Sequence, residues 1–531
     1  MALLVRDIKI PVEETKQEGY LIRAVAQKLD VDPDVITSLE VKKKSLDARN
    51  KRRIHYNFQL FVETPLQETL AERYAAFCER TQGKRVKDPL EDIALENVKL
   101  RHKPVIIGSG PAGIFAALVF ARAKVPCIVI ERGEPVEQRL KTVGRLLRKG
   151  EFTPNSNYCY GEGGAGTFSD GKLTCGRNHP LIQYLFHEWV HFGAPKSILY
   201  DAHPHIGTDN LMRVSKNMRS YLEAQGTEFI FGRSFVGIEP GNSQRRQTVV
   251  LDDGAKIDTD HLLLAFGHSA RETYEMLHEK GVGLEQKPFA IGARIEHPQD
   301  VIDQIQFGSC EILPAAEYKL ASQVQNRGIW TFCMCPGGHL LPTSAQPGHL
   351  AINGMSYYAR NSGFANAAVV VNVRREDFDR GHVLDGIRFQ KAIEQKAFEI
   401  GGGNYHSPAQ RLVDFIGSKD SHGELRSTYK PGVTNARIDR LLPKFVGESL
   451  QAAMTQYNQK MRGYITDRAL VVGVETKTSA PVVIKRDKSF QSVTHAGLYP
   501  TGEGAGFAGG IVSAALDGLR VAQGIVKQAA E

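Results

Sequence analysis

Residues 103–133 constrain this chain more than any other stretch. Val105, Ile106 and Ile107 form a short apolar run of the kind buried in a parallel sheet, and Gly108, Gly110 and Gly113 follow it as G-x-G-x-x-G. Pro111 and Ala112 open an Ala-, Leu- and Phe-rich helix reaching about residue 123, and a second strand over 127–130 ends at Glu131 and Arg132. Each glycine has a physical task. Gly108 makes the tight turn, Gly110 lets the main chain approach a pyrophosphate, and Gly113 allows close helix–strand packing. The helix N-terminus offers N–H groups and the positive end of its dipole to phosphates. Glu131, 18 positions after Gly113, stands where a carboxylate accepts from a ribose 2′-OH and disfavours a 2′-phosphate. Strand, glycine turn, helix, strand and acid in register predict a dinucleotide site.

The 531 residues leave room for two to four domains around a large core. Apolar residues make up 42% and charged residues 24%, the balance of a soluble globular protein. No run approaches the ~18 uninterrupted apolar residues of a membrane span, and the first residues lack the pattern of a signal peptide. Seven scattered cysteines form neither a disulfide framework nor a paired C-x-x-C zinc pattern, so a cytoplasmic protein with reduced thiols is expected. The net charge of +8, from 67 basic and 59 acidic residues, permits anionic ligands without demanding nucleic acid.

Residues 1–98 read as a small α+β domain, with strands expected over 5–10, 35–41 and 54–62 and an amphipathic helix over 19–29. Residues 64–100 look like a helix and linker. Within 42–53 stand seven basic residues against one acid, either a solvated hairpin or a polyanion contact. Tyr56 and Phe58 begin only after that run.

Two glycine-dense segments lie far from the first motif. One carries Gly161, Gly163, Gly164, Gly166, Thr167, Ser169, Asp170, Gly171 and Lys172, with backbone freedom suited to a ligand lying against the main chain. Cys159 and Cys175 flank it at sixteen residues, which does not match the C-x-x-x-x-C dithiol of flavin disulfide reductases. The other carries Gly502, Glu503, Gly504, Gly506, Ala508, Gly509 and Gly510 between an expected strand and a helix over 511–522. An apolar strand ends at Gly267. The pattern between about 283 and 466 changes to mixed strands, long loops and helices.

These pieces together resemble the two-dinucleotide-binding-domain flavoproteins, and in particular the bacterial family described as NAD(FAD)-utilising or FAD-dependent dehydrogenases. The marks are the 108–113 glycines with Glu131, the Gly-Gly-Ala-Gly-Thr-Phe-Ser-Asp-Gly-Lys loop, Cys-Met-Cys-Pro-Gly-Gly, Asn-Gly-Met-Ser and Gly-Glu-Gly-Ala-Gly-Phe-Ala-Gly-Gly. The resemblance implies an α/β fold with a discontinuous Rossmann-like FAD-binding domain (99–282 and 467–531), an inserted α+β substrate or cap domain (283–466) and the N-terminal α+β domain (1–98). It also implies FAD in the main site. Glu503 stands where many relatives have an Asp bonding the ribityl chain, and a helix beginning near Gly506 would point its N-terminus at the flavin N1–C2=O edge.

The flavin itself would perform hydride or electron transfer. A second Rossmann module for NAD(P)H is not found, so a nicotinamide would dock transiently, or electrons would come from the substrate or a partner protein. Cys333 and Cys335 are the catalytic candidates, as a thiolate beside the flavin or an oxidising disulfide; the competing reading is two buried thiols beside a Pro-Gly-Gly turn. His339, Asp170 and Lys172 are candidate acid–base or anion-binding groups, and no metal is expected. The expected function is FAD-dependent oxidation or reduction of a small molecule. The alternative is a flavin-bearing RNA-binding or RNA-modifying protein using residues 42–53.

Overall fold

Alternation along His55–Glu63 buries Phe58, Leu60 and Val62 on one face, and this strand is central to a four-stranded antiparallel sheet. The computed structural model describes residues 2–83, 86–241, 247–308 and 312–531. The order of the first sheet is Ser38–Asp47, His55–Glu63, Ala2–Pro11, Cys78–Thr81. Val25 and Leu29 of the helix Tyr20–Leu29 close its apolar face. The strand expected over 35–41 runs Ser38–Asp47 instead, so half of the basic run is sheet rather than hairpin. Lys44 lies 4.4 Å over the Tyr56 ring, Lys42 lies 5.3 Å over Phe61, and Arg49 pairs with Asp47. Residues 64–100 contain a helix, Gln67–Arg73, and also the unexpected fourth strand Cys78–Thr81.

The first glycine motif sits in a five-stranded parallel sheet of order Leu498–Pro500, Leu262–Leu264, Val105–Ile107, Ile128–Glu131, Glu228–Phe231. Its central strand is Val105–Ile107, buried throughout, as expected for a strand covered on both faces. The helix Pro111–Arg122 is buried from Ala112 to Ala121, which explains why it is apolar all round. The C-terminal helix Ile511–Ala530 packs beside it and shares its core.

A seven-stranded sheet forms the third unit, in the order Ala321–Val324, Arg327–Cys335, Phe364–Val373, Phe289–Pro298, Leu470–Glu475, Ser407–Arg411, Val433–Asn435. The helices Asp385–Gly401 and Lys444–Lys460 contribute Ile393, Ala397, Val446, Leu450 and Tyr457 to its core. Leu470–Glu475 is an inner strand here, so this sheet continues past the boundary expected at residue 466. His339 stands on a strand, Gly338–Pro342. Among the described residues no helix is long and apolar enough to cross a membrane.

Candidate functional site

The three glycines behave as their spacing predicts. Gly108 has φ 105°, and a Cβ there would lie 2.5 Å from the Ala265 oxygen. At Gly113 a Cβ would lie 1.9 Å from the Gly108 oxygen, so helix and turn touch through it. Gly110, by contrast, faces a cavity of about 980 Å³ and has its nearest such neighbour, the Gly164 Cα, at 3.8 Å.

That cavity gathers residues from all three glycine segments. Gly108, Gly110, Pro111, Ala112, Glu131 and Arg132 line one end. Gly164, Gly166, Ser169, Gly171, Lys172, Gly267, Glu503, Gly509, Gly510 and Cys333 line the rest of the wall among those expected from sequence. Gly113, Thr167, Asp170, Gly502, Gly504, Gly506, Ala508 and Cys335 stand behind it. Thr167 donates to the Glu162 oxygen at 3.2 Å. Asp170 forms a two-toothed pair with Arg360 at 3.1 and 2.7 Å. Gly502 N–H donates to Asp517, Gly504 accepts from Tyr274, and Gly506 accepts from Lys287. Ala508 and Cys335 are core residues.

Glu131 is also tied into the chain itself. One carboxylate oxygen accepts from Ser109 N at 2.9 Å and Ser109 Oγ at 2.8 Å, and the other from Gly133 N at 3.0 Å and Gly161 N at 2.9 Å. A carboxylate offers about four lone-pair sites, and four groups of the chain occupy them. The residue staples the first glycine turn to the second glycine segment while it lines the cavity.

Arg139 does similar work from beneath. This fully buried side chain donates from Nε to the Asn157 oxygen at 2.9 Å, and from Nη1 to the oxygens of Gly161, Glu162 and Gly164 at 3.2, 2.7 and 2.8 Å. A Cβ on Gly161 would meet it at 2.4 Å. Behind the third glycine segment, Arg486 pairs with Asp517 at 2.9 and 2.6 Å, and Asp517 holds Gly502 N–H at 2.7 Å. The last helix begins at Ile511, as expected, with Gly510 as its cap, so its N-terminus lies five residues beyond Gly506, and it runs on to Ala530.

The far end of the cavity is charged. Lys172 donates to the Met334 oxygen and lies 3.7 Å from Glu317, which also bonds His203 Nδ1. Burial works against the Glu317 carboxylate, but the His203 bond and Lys172 overcome it and hold its pKa at about 2. The same bond raises His203 above its ordinary value. Behind the wall the fully buried Arg294 reaches Glu475 at 3.1 Å, Asn366 at 2.7 Å, Asn353, and the Cys333 oxygen at 3.1 Å. Burial pushes Glu475 up to about 6. Arg139, His203, Arg294, Glu317, Arg360, Arg486 and Asp517 escaped sequence reasoning. The one local signal was a charge set in an otherwise apolar strand, as for Arg294 and Glu475.

FAD fits this cavity. A Cβ added at Gly267, Gly509 or Gly510 would meet nothing within 4 Å, so bare main chain borders open space at three points of the wall. His268, on the same wall, has a buried Nε2 with no protein partner, while its Nδ1 lies 3.3 Å from Glu503. Glycine backbone and a free ring nitrogen together are the surroundings a dinucleotide cofactor needs.

Residues 288–478 match the family described as FAD-dependent protein, C-terminal domain-like, and residues 3–63 match a domain of unknown function. An uncharacterized protein of Clostridium beijerinckii is 39% identical over 539 aligned positions, covering 99% of each chain. This chain belongs to the same family as that clostridial protein. Among solved structures, CtdE in complex with FAD is 10% identical over 81% of this chain and 87% of that one, with TM-score 0.33. The thioredoxin reductase of Lactococcus lactis is 20% identical over 32% of this chain and 36% of that one, with TM-score 0.18. At these scores neither likeness bears on fold or function.

Proposed function

We propose that the protein is an FAD-dependent oxidoreductase that acts on a small molecule held at the charged end of its cavity. The observation behind this reading is the continuity of one cavity, from the glycine turn at Gly108–Gly110 to Lys172, His203, Glu317 and Cys333. FAD, when bound, supplies the hydride or electron transfer. The chain's own residues bind, orient and move protons. The helix N-terminus at Pro111 faces the phosphate end, and Arg139 and Glu131 fix the loops that shape the cradle. His203, tied to Glu317 through Nδ1, has Nε2 left as its proton-exchanging atom at the rim. Lys172 adds positive charge for an anionic substrate group. We read NAD(P)H as a transient donor using the same opening.

The test is the visible absorbance of freshly purified protein, followed anaerobically during addition of NADH and then NADPH. A bound-flavin spectrum that bleaches supports the reading and names the donor. Colourless protein that also refuses added FAD overturns it.

A further inference from the structure

Cys333 lies on the cavity wall with φ 45°, in the left-handed region that few non-glycine residues occupy. At this point the pairing of Arg327–Cys335 with Phe364–Val373 loses register, between Phe332 and Cys335. The irregularity turns the Cys335 sulfur back towards Cys333. In a regular strand, Cα atoms two residues apart are separated by about 6.6 Å, near the limit a disulfide tolerates. The left-handed residue bends the strand, and the Cys335 thiol turns back to donate to the Cys333 oxygen at 3.4 Å. Two cations pin the bend. Arg294 donates to the Cys333 oxygen at 3.1 Å, and Lys172 donates to the Met334 oxygen. Cys335 is fully buried behind Cys333, and both are free thiols. Two thiols that merely filled space would need neither the left-handed residue nor the paired cations.

We propose that Cys333 and Cys335 form a dithiol–disulfide couple that exchanges with a small disulfide admitted through the cavity. This assigns a substrate class to the oxidoreductase reading and rests on it. The Cys333 thiolate attacks one sulfur of the incoming disulfide, and the other half leaves as a thiolate that takes up a proton. Cys335 then loses its proton and attacks the Cys333 sulfur, closing the internal disulfide and releasing the second half, which is protonated in turn. Two protein thiols are oxidised and one substrate disulfide is reduced to two thiols. Return to the dithiol takes two electrons and two protons, the equivalents a reduced flavin carries.

The charged groups facing Cys333 are Arg294 and Lys172 as cations and Asp170 and Glu475 as acids. The hydrogen bond from Cys335, then Arg294 and Lys172, hold the Cys333 thiol below its ordinary value. Cys335, bonded to Cys333 and buried, stays protonated. Attacking and resolving roles are thus divided as the two exposures divide them.

The experiment treats the purified holoprotein with oxidised glutathione, blocks remaining thiols with iodoacetamide and measures peptide masses. The expected product has Cys333 and Cys335 unalkylated and lighter by two hydrogens. In Cys335→Ser, glutathione stays attached to Cys333; in Cys333→Ser, none attaches to Cys335. Before oxidation, at pH 7, iodoacetamide labels Cys333 about ten-fold faster than a cysteine of ordinary pKa. The proposal is overturned if both cysteines of the wild-type protein remain alkylatable after oxidation, or if Cys333 labels no faster than Cys175. Flavin absorbance recorded on the same samples separates the two readings. A disulfide in protein that takes up no flavin would keep the couple and remove the FAD chemistry, whereas flavin-loaded protein with inert thiols would do the reverse.

Discussion

Gly518 in the last helix lies against Ala112 at the start of the helix Pro111–Arg122, so closely that an added Cβ would stand 1.9 Å from the Ala112 oxygen. The two helices come from segments at opposite ends of the parallel-sheet unit, and this contact sets how near the Gly509–Gly510 wall comes to the first glycine turn. Gly518→Ala would force the helices apart. We expect a loss of roughly 1–3 kcal/mol in stability and a drop in bound flavin, read by thermal unfolding and by the ratio of visible to ultraviolet absorbance.

Arg139→Ala would remove a buried charged donor from four main-chain oxygens under the second glycine segment, of which those of Gly161 and Glu162 keep Gly164 N–H and Thr167 Oγ1. Buried unsatisfied groups are expensive, so a loss of roughly 3 kcal/mol or more is expected. Flavin should dissociate on dilution from the variant and remain with the wild-type protein. Retention of both stability and flavin would show that the loop holds itself.

Glu131→Gln separates two roles for one carboxylate. As a staple, the carboxylate meets donors on both oxygens, and an amide NH₂ would face N–H groups on one side. Stability should fall by about 2 kcal/mol even in protein stripped of cofactor. A residue serving only a ribose would weaken FAD binding and leave the stripped protein's unfolding midpoint where it was.

The buried His297 provides a pH prediction. Burial lowers its pKa to about 4, while the ring bonds the Tyr464 oxygen at 2.8 Å through Nε2. In the unfolded chain it titrates near 6.5, so between those values the unfolded state binds the extra proton. Its contribution is fully present above pH ~6.5 and is lost as pH falls towards ~4, amounting to about 3 kcal/mol. Chemical denaturation at a series of pH values should show this limb, and His297→Gln should flatten it.

What the sequence disclosed and what it hid follow from the range of the interactions. Gly108, Gly110 and Gly113 were legible because their work is done within one turn and one helix, where spacing fixes geometry. Cys78–Thr81 was missed because four residues, Cys-Glu-Arg-Thr, carry no period and owe their extended form to pairing with Ala2–Val5. Arg294 and Glu475 stand 181 residues apart, and only the sheet makes them neighbours. Glu131 was found at its place without its main-chain partners, since nothing local announces that Gly133 and Gly161 will aim their N–H groups at it. Cofactor-shaped backbone is written locally, whereas the charges that hold it are chosen by tertiary contact.

The N-terminal sheet joins the remainder through main chain as well as side chains. Lys44 N–H donates to the Tyr200 oxygen at 2.8 Å, and Ala202 N–H donates to the Lys44 oxygen at 2.8 Å. Residues 202–204 run on into the cavity wall at His203 and Pro204. Anyone shortening this protein to a minimal flavin-binding fragment would therefore be cutting a seam, not trimming an appendage. Without the first 98 residues the segment that presents His203 would have two backbone groups facing water and one less reason to stay in place.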